Sequence, residues 1–157
     1  MVLHSIPPIY GDGSKILILG SFPSVASREA AFFYGHPKNR FWRVLSELLG
    51  SPLPESVDEK KELLISHGIA LWDVIKSCEI VGSADSTIKC AVANDLSLIL
   101  SSADISAIFV NGKTAEKYYK KFLAASTGRE AICLPSTSPA NAAWSFGRLV
   151  AAWQIIK

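Results

Sequence analysis

The sequence has little of what props up a chain from outside its own core. It carries three cysteines, Cys78, Cys90 and Cys133. They are odd in number and form no C-x-x-C pair, so neither a disulfide framework nor a zinc ribbon is implied, and they read as small buried hydrophobes. The three histidines, His4, His36 and His67, show neither H-x-x-x-H nor H-E-x-x-H spacing, so no metal site is expected. No apolar run approaches the roughly 20 residues of a membrane span. The opening MVLHSIPPIYGDGSK lacks the basic start and long apolar stretch of a signal peptide, and a cytoplasmic protein is the expectation. Charge is scarce too: 19% of residues are charged and the net charge is +2. Composition therefore does not announce a nucleic-acid partner, although a local basic face suffices to neutralise a few phosphates. There is no G-x-x-x-x-G-K-[ST] loop, no G-x-G-x-x-G turn and no G-x-S-x-G elbow, which argues against a nucleotide cofactor and a hydrolase serine.

What is present is a core. With 157 residues and 49% apolar residues, the chain is the size of one ordinary domain, and residues 1–157 are expected to form a single unit. KILILG (Lys15 to Gly20), GIALW (Gly68 to Trp72), SAIFVNG (Ser106 to Gly112) and EAICLP (Glu130 to Pro135) are short apolar runs bounded by breakers, the pattern of buried strands. From Phe41 apolar residues fall at 41, 44, 45, 48 and 49, ahead of Gly50, which is the stripe and stop signal of a helix. Further helices are expected over 55–67, 94–102, 115–123 and 142–155. Strands alternating with helices predict a parallel sheet covered on both faces, hence a three-layer α/β/α domain. In such sheets ligands bind beyond the carboxyl ends of the strands. The loops GSFPS, WDVIKSC, VNGKT and LPSTSPAN are therefore where chemistry is sought.

Those loops bring neutral polar side chains (Ser21, Asn39, Asn111, Ser136, Ser138, Asn141), several rings (Phe22, Phe32, Phe33, Tyr34) and one acid, Asp73. Rings grip a flat ligand by its faces while amides and hydroxyls read its edge, which suits a nucleobase turned out of a helix. ILGSFPS, HPKNRFW and LPSTSPANA, in this order and spacing, resemble the motifs of the uracil-DNA glycosylase superfamily, and most closely its hypoxanthine-DNA glycosylase (DNA-deoxyinosine glycosylase) branch. The resemblance runs from about Lys15 to the terminal helix. It implies a four-stranded parallel sheet, no cofactor, and a monofunctional enzyme of base excision repair. Such an enzyme hydrolyses the N-glycosidic bond of a flipped deaminated base in DNA, most closely hypoxanthine, and leaves an abasic site for downstream processing enzymes. A uracil- or xanthine-directed enzyme and a non-catalytic DNA-binding relative are the alternatives. A monomer is expected.

The resemblance also distributes roles. The mismatch-specific relatives position water with an Asn in the first motif, but Phe22 stands there. The hypoxanthine branch assigns that task to the Asn of the second motif, here Asn39. Ser21, Phe22 and Tyr34 fall where the base is bound, and Ser136, Ser138, Pro139, Ala140 and Asn141 where the duplex is entered and its phosphates are gripped. Residue physics alone reads several of these differently. Asn39 precedes a helix, where Asn is a preferred cap. Phe41 and Trp42 read as core. Asp73 could activate water but reads more readily as a cap or turn carboxylate after a strand, Asn111-Gly112 reads as a turn, and Ser136 and Ser138 read equally as turn formers. Lys38, Arg40 and Arg43 are expected to meet the DNA backbone, and Lys113, Lys117, Lys120 and Lys121 to form the solvated side of their helix, although the helix start near Lys113 could also face phosphate.

Overall fold

A computed structural model describes residues 1–157. Its centre is a sheet of four strands, β2 (Ile16–Gly20), β3 (Ile69–Asp73), β6 (Ala107–Asn111) and β7 (Ala131–Leu134), in the order β3-β2-β6-β7 with every neighbour parallel. Alternation along these strands makes a two-sided core. Leu17, Leu19, Ala70, Ile108 and Val110 pack on one face, and Ile18, Ile69, Leu71 and Phe109 on the other. Parallel neighbours need long crossovers, and helices supply them. β2 reaches β3 through α1 (Val25–Ala30), α2 (Phe41–Leu49) and α3 (Val57–Ser66). β3 reaches β6 by way of α4 (Ser97–Ser102), and β6 reaches β7 through α5 (Lys113–Phe122) and α6 (Ala124–Thr127). The chain closes with α7 (Phe146–Trp153) and a 3₁₀ turn over Gln154–Ile156.

Local signals account for the helix ends. Gly50, with φ of 63°, closes α2 in the left-handed conformation that residues with a Cβ adopt only under strain. Ser56 caps α3 by accepting from Glu59 N at 3.0 Å and donating its hydroxyl to the Glu59 carboxylate at 3.2 Å. Ser145 accepts from Arg148 N and starts α7. Helices α2 and α7 meet through Phe41 and Trp153, whose rings cross edge to face at 5.9 Å. Both are fully buried.

The three-layer α/β/α expectation and its four parallel strands are present, with one addition and several shifted boundaries. WDVIKSC is not a loop. After Val74 the chain forms β4 (Ile75–Glu79), which pairs antiparallel with β5 (Lys89–Ala93) and with β1 (Val2–Leu3) in a second, three-stranded sheet. Ile75 and Cys78 of β4, with Ile88 just ahead of β5, carry this sheet onto the Leu17/Leu19 face of the core. The alternation that marks strands is weak here because β5 lies largely in solvent. Helix α1 was not read from the sequence either; it is one short segment capped by Ser24. The helix expected from Asn94 begins at Ser97, because Asn94 is drawn inward to donate from Nδ2 to Asp73 O at 2.9 Å. The helix expected from Ala142 begins at Phe146, after a 3₁₀ turn over Pro139–Asn141.

Trp153 joins the two ends of this architecture. Its ring fills the α2–α7 seam and its Nε1 donates to Pro135 O at 2.9 Å. Trp153→Ala leaves a cavity and an unsatisfied carbonyl, and is expected to lower unfolding free energy by about 3–5 kcal/mol in urea denaturation.

Candidate active site

The carboxyl ends of the parallel strands open into a cleft of about 1110 Å³. It lies where an α/β sheet of this kind holds ligands. Its walls bring together all nine residues to which the resemblance assigns a role: Asn39; Ser21, Phe22 and Tyr34; and Ser136, Ser138, Pro139, Ala140 and Asn141.

The floor is built around a missing side chain. Gly20 ends β2 in register with Asp73 at the end of β3. A Cβ on Gly20 would stand 2.3 Å from Asp73 Oδ1 and 2.9 Å from the Tyr34 hydroxyl. Glycine is therefore what lets the carboxylate and the phenol converge on the backbone where a side chain would stand. Asp73 is 4% exposed and is no turn residue. Its Oδ2 accepts from His4 Nε2 at 2.8 Å. Asn111 is likewise not a turn. It ends β6, is buried, and donates from Nδ2 to the Tyr34 hydroxyl at 3.2 Å and to Thr137 Oγ1 at 3.0 Å, while its Oδ1 accepts from Thr137 N at 3.1 Å. One amide thus ties Tyr34, just ahead of the second motif, to the third motif.

Tyr34 is held in a backbone conformation that a large side chain rarely adopts, with φ of 52°. Stacking on Phe41 at 4.0 Å between ring centroids, the Asn111 bond and a Gly35 N–H donated to Ser27 Oγ at 2.9 Å maintain it. Burial, and secondarily the charge of Asp73, push its phenol well above the ordinary tyrosine value, with the Asn111 bond opposing. The ring is a neutral wall. Phe22 is another: its edge meets the His4 ring at 6.1 Å, and the Arg28 guanidinium lies over it at 5.7 Å.

Asn39 is half-buried, stands one residue ahead of the N-cap position of α2 and faces the cleft. Its Oδ1 accepts from Phe41 N at 2.9 Å, satisfying one of the free N–H groups at the start of α2. This bond fixes the amide rotamer and leaves Oδ1 a second lone pair and Nδ2 both of its hydrogens. Arg40 departs from expectation. Instead of facing outward it donates to the carbonyls of Trp144 and, at 3.1 Å, of Asn141, and its N–H bonds Thr137 O. It fastens the third motif to the second. Phe41 and Trp42 are core.

In the third motif each serine accepts a backbone N–H. Ser138 N donates to Ser136 Oγ, Ala140 N to Ser138 Oγ, and Asn141 Nδ2 to Ser136 O. The hydroxyl hydrogens of Ser136 and Ser138 remain to be donated. Gly112, at φ of 96°, passes so close that a Cβ there would sit 3.0 Å from Ser136 Cβ. At the opposite lip Ser21 Oγ donates to Asp85 Oδ2 at 2.9 Å. Desolvation pushes the Asp85 carboxyl up, against hydrogen bonds from Ser21 and Thr114 and with the Asp73 charge adding to the rise. His4, Asp85 and Thr137 were not anticipated from the sequence. Asp85 reaches the cleft from a distant segment and His4 reaches the Asp73 carboxylate behind it, with no local spacing to mark either, whereas Thr137 lies inside the LPSTSPAN loop, between the two serines that were singled out.

Comparison with known proteins gives the family. The sequence pattern described as the uracil DNA glycosylase superfamily matches residues 7–157. The chain belongs to the uracil DNA glycosylase superfamily. Among curated members, a protein of Methanosarcina acetivorans named hypoxanthine DNA glycosylase is 36% identical over 94% of this chain and 94% of its own length. One of the same name from Methanosarcina barkeri is 34% identical over 90% of this chain and 89% of its own. A solution NMR structure of a Methanosarcina acetivorans protein described as a candidate uracil DNA glycosylase superposes with a TM-score of 0.78 at 32% identity, covering 96% of both chains. No helix of this superfamily member is long and apolar enough to cross a membrane.

Removing the central amide tests the coupling of the motifs. Asn111→Ala strands the buried Thr137 N–H and frees the Tyr34 hydroxyl. The expected cost is about 1–3 kcal/mol for the orphaned donor alone, read as a shift in the denaturation midpoint.

Proposed function

We propose that this protein is a monofunctional DNA glycosylase that removes hypoxanthine from deoxyinosine in DNA. The observation that carries the reading is its likeness, over about nine-tenths of the chain, to two proteins named hypoxanthine DNA glycosylase. The cleft supports it chemically. A purine turned out of the helix meets neutral rings and amide or hydroxyl edges, a surface suited to a flat heterocycle. Stacking contributes roughly 1–3 kcal/mol per base, about what extrusion costs. A weakened inosine pair is therefore extruded more readily than an intact Watson–Crick pair.

In the proposed mechanism Asn39 orients the attacking water. Its rotamer is already fixed by Phe41 N, so little entropy is lost when the second lone pair of Oδ1 accepts from water. Asn is neutral and supplies orientation, with no capacity to remove a proton. Bond breaking runs ahead of water attack, developing positive charge on the sugar and negative charge on the purine, which donors in the cleft stabilise. Ser21, Phe22 and Tyr34 bound the base. The free hydroxyl hydrogens of Ser136 and Ser138 meet phosphate oxygens, and Pro139, Ala140 and Asn141 occupy the gap in the duplex. The protein works as one monomeric domain over residues 1–157, in the cytoplasm and without a cofactor, and passes abasic DNA to enzymes that process it.

The test is single-turnover cleavage of otherwise identical duplexes carrying one hypoxanthine, uracil or xanthine, with abasic sites revealed by alkali. Hypoxanthine release is expected to be fastest, and Asn39→Ala to slow it by about two orders of magnitude or more while leaving DNA affinity unchanged. Faster release of uracil overturns the base assignment, and an unimpaired Asn39→Ala returns that residue to the role of a cap.

A further inference from the structure

We infer that Asp73 is a second catalytic residue, and that His4, from the N-terminal arm, is the positioning residue that aims it. The inference rests on the glycosylase reading and adds to Asn39 the charge that an amide lacks.

The Asp73 side chain is 6% exposed and that of His4 1%. His4 Nδ1 accepts the Ile6 N–H at 3.3 Å, so the ring proton sits on Nε2 and is donated to Asp73 Oδ2 at 2.8 Å. The imidazole is caged by Phe22, Phe33 and Trp72, with centroids 6.1, 6.1 and 6.2 Å away. It has no freedom to turn. Asp73 Oδ2 is thereby fixed, whereas Oδ1 accepts no hydrogen bond in the protein. No buried side-chain oxygen lacks a partner, so Oδ1 opens to the cleft, which Asp73 lines together with Asn39.

A purely structural clamp does not account for this arrangement. Holding His4 in place needs only an acceptor, and an amide oxygen provides one without burying a charge. Asp73 has no Lys or Arg partner; its sole ion-pair contact is this histidine, held in its Nε2–H form. Asp85 and Tyr34, which feel the Asp73 charge, offer no positive charge either, and Lys113, which lines the same cleft, makes no ion pair with Asp73. A desolvated carboxylate with one free oxygen and no cation is complementary to a cation that arrives during the reaction, here the oxocarbenium-like sugar. The atoms balance as a hydrolysis. The C1′–N bond breaks with its electron pair leaving on the base. The water oxygen bonds C1′, and the proton that water sheds passes to Asp73 Oδ1 and on to solvent. The departing base takes up one proton from solvent.

The experiment pairs the single-turnover rate on hypoxanthine, uracil and xanthine duplexes with affinity for a duplex bearing an uncleavable abasic-site analogue. Asp73→Asn is expected to lower the rate on whichever base the wild type releases by about a hundredfold, with affinity and melting temperature held. Formate added to Asp73→Ala restores part of the rate. His4→Ala slows the reaction by about tenfold and His4→Gln, which keeps a donor at similar reach, recovers part of the loss. An Asp73→Asn rate within about threefold of an active wild type overturns this inference and leaves the glycosylase reading intact. A wild type inert on all three duplexes overturns both. If the Asp73 variants do not fold, the His4 pair decides: equal, unimpaired rates in His4→Ala and His4→Gln overturn the assignment.

Discussion

One side-chain amide holds the cleft together. Asn111 stands at the end of β6 and spends both faces of its amide on partners from other segments, the Tyr34 hydroxyl on one side and the Thr137 side chain and backbone on the other. In a buried setting such a network is specific because every alternative arrangement orphans a donor or acceptor. Arg40 repeats the connection nearer the surface by gripping the Asn141 and Trp144 carbonyls. Gly20 is the third element, a gap in the backbone's own side-chain layer into which Asp73 and Tyr34 lean. The three motifs that look separate along the chain are thus one bonded assembly, and their relative geometry is set before any DNA arrives.

The crowd of rings between Phe32 and Trp42 divides its labour accordingly. Phe32, Phe33, Phe41 and Trp42 are core, packed against one another and against Trp153. Only Tyr34, turned out by its left-handed backbone, combines a stacked contact with Phe41 and a polar tip in the cleft. A wall exposed to a mobile ligand must not itself move, and a ring backed by a rigid core meets that need. Asn39 profits from the same backing, since the helix N–H it accepts is that of Phe41 itself.

Much of this could be read from residue order because it is local. The strand starting at Ile16, the helix ending at Gly50 and the parallel sheet follow from periodicity and stop signals within a few residues. The motif residues line one cleft for the same reason, since they sit on the loops that such a sheet gathers at one end. What escaped reading is non-local. Asp73 and Asn111 looked like turn residues because an Asp or an Asn-Gly after a strand commonly is one. Only the neighbouring strand and the loop at Thr137 reveal that their side chains point into a built site. Arg40 looked like a phosphate ligand because sequence does not show that two carbonyls of a later loop already occupy it. The antiparallel sheet was missed because β5 is mostly solvated and carries no clear alternation.

The path of the chain through the central sheet also governs when activity can appear during synthesis. β2 lies in the middle, β3 joins one side, and β6 and β7 complete the other in order of their emergence. His4 waits for Asp73, which lies 69 residues further on, and Asn111 waits another 26 residues for Thr137. Contacts so distant in sequence form late and make folding slow relative to a helical bundle of the same length. A nascent chain that has not yet released its last strand therefore has strands and helices but no assembled cleft. The cleft of this superfamily member is, by its own topology, unassembled until the loop that carries Thr137 has been made.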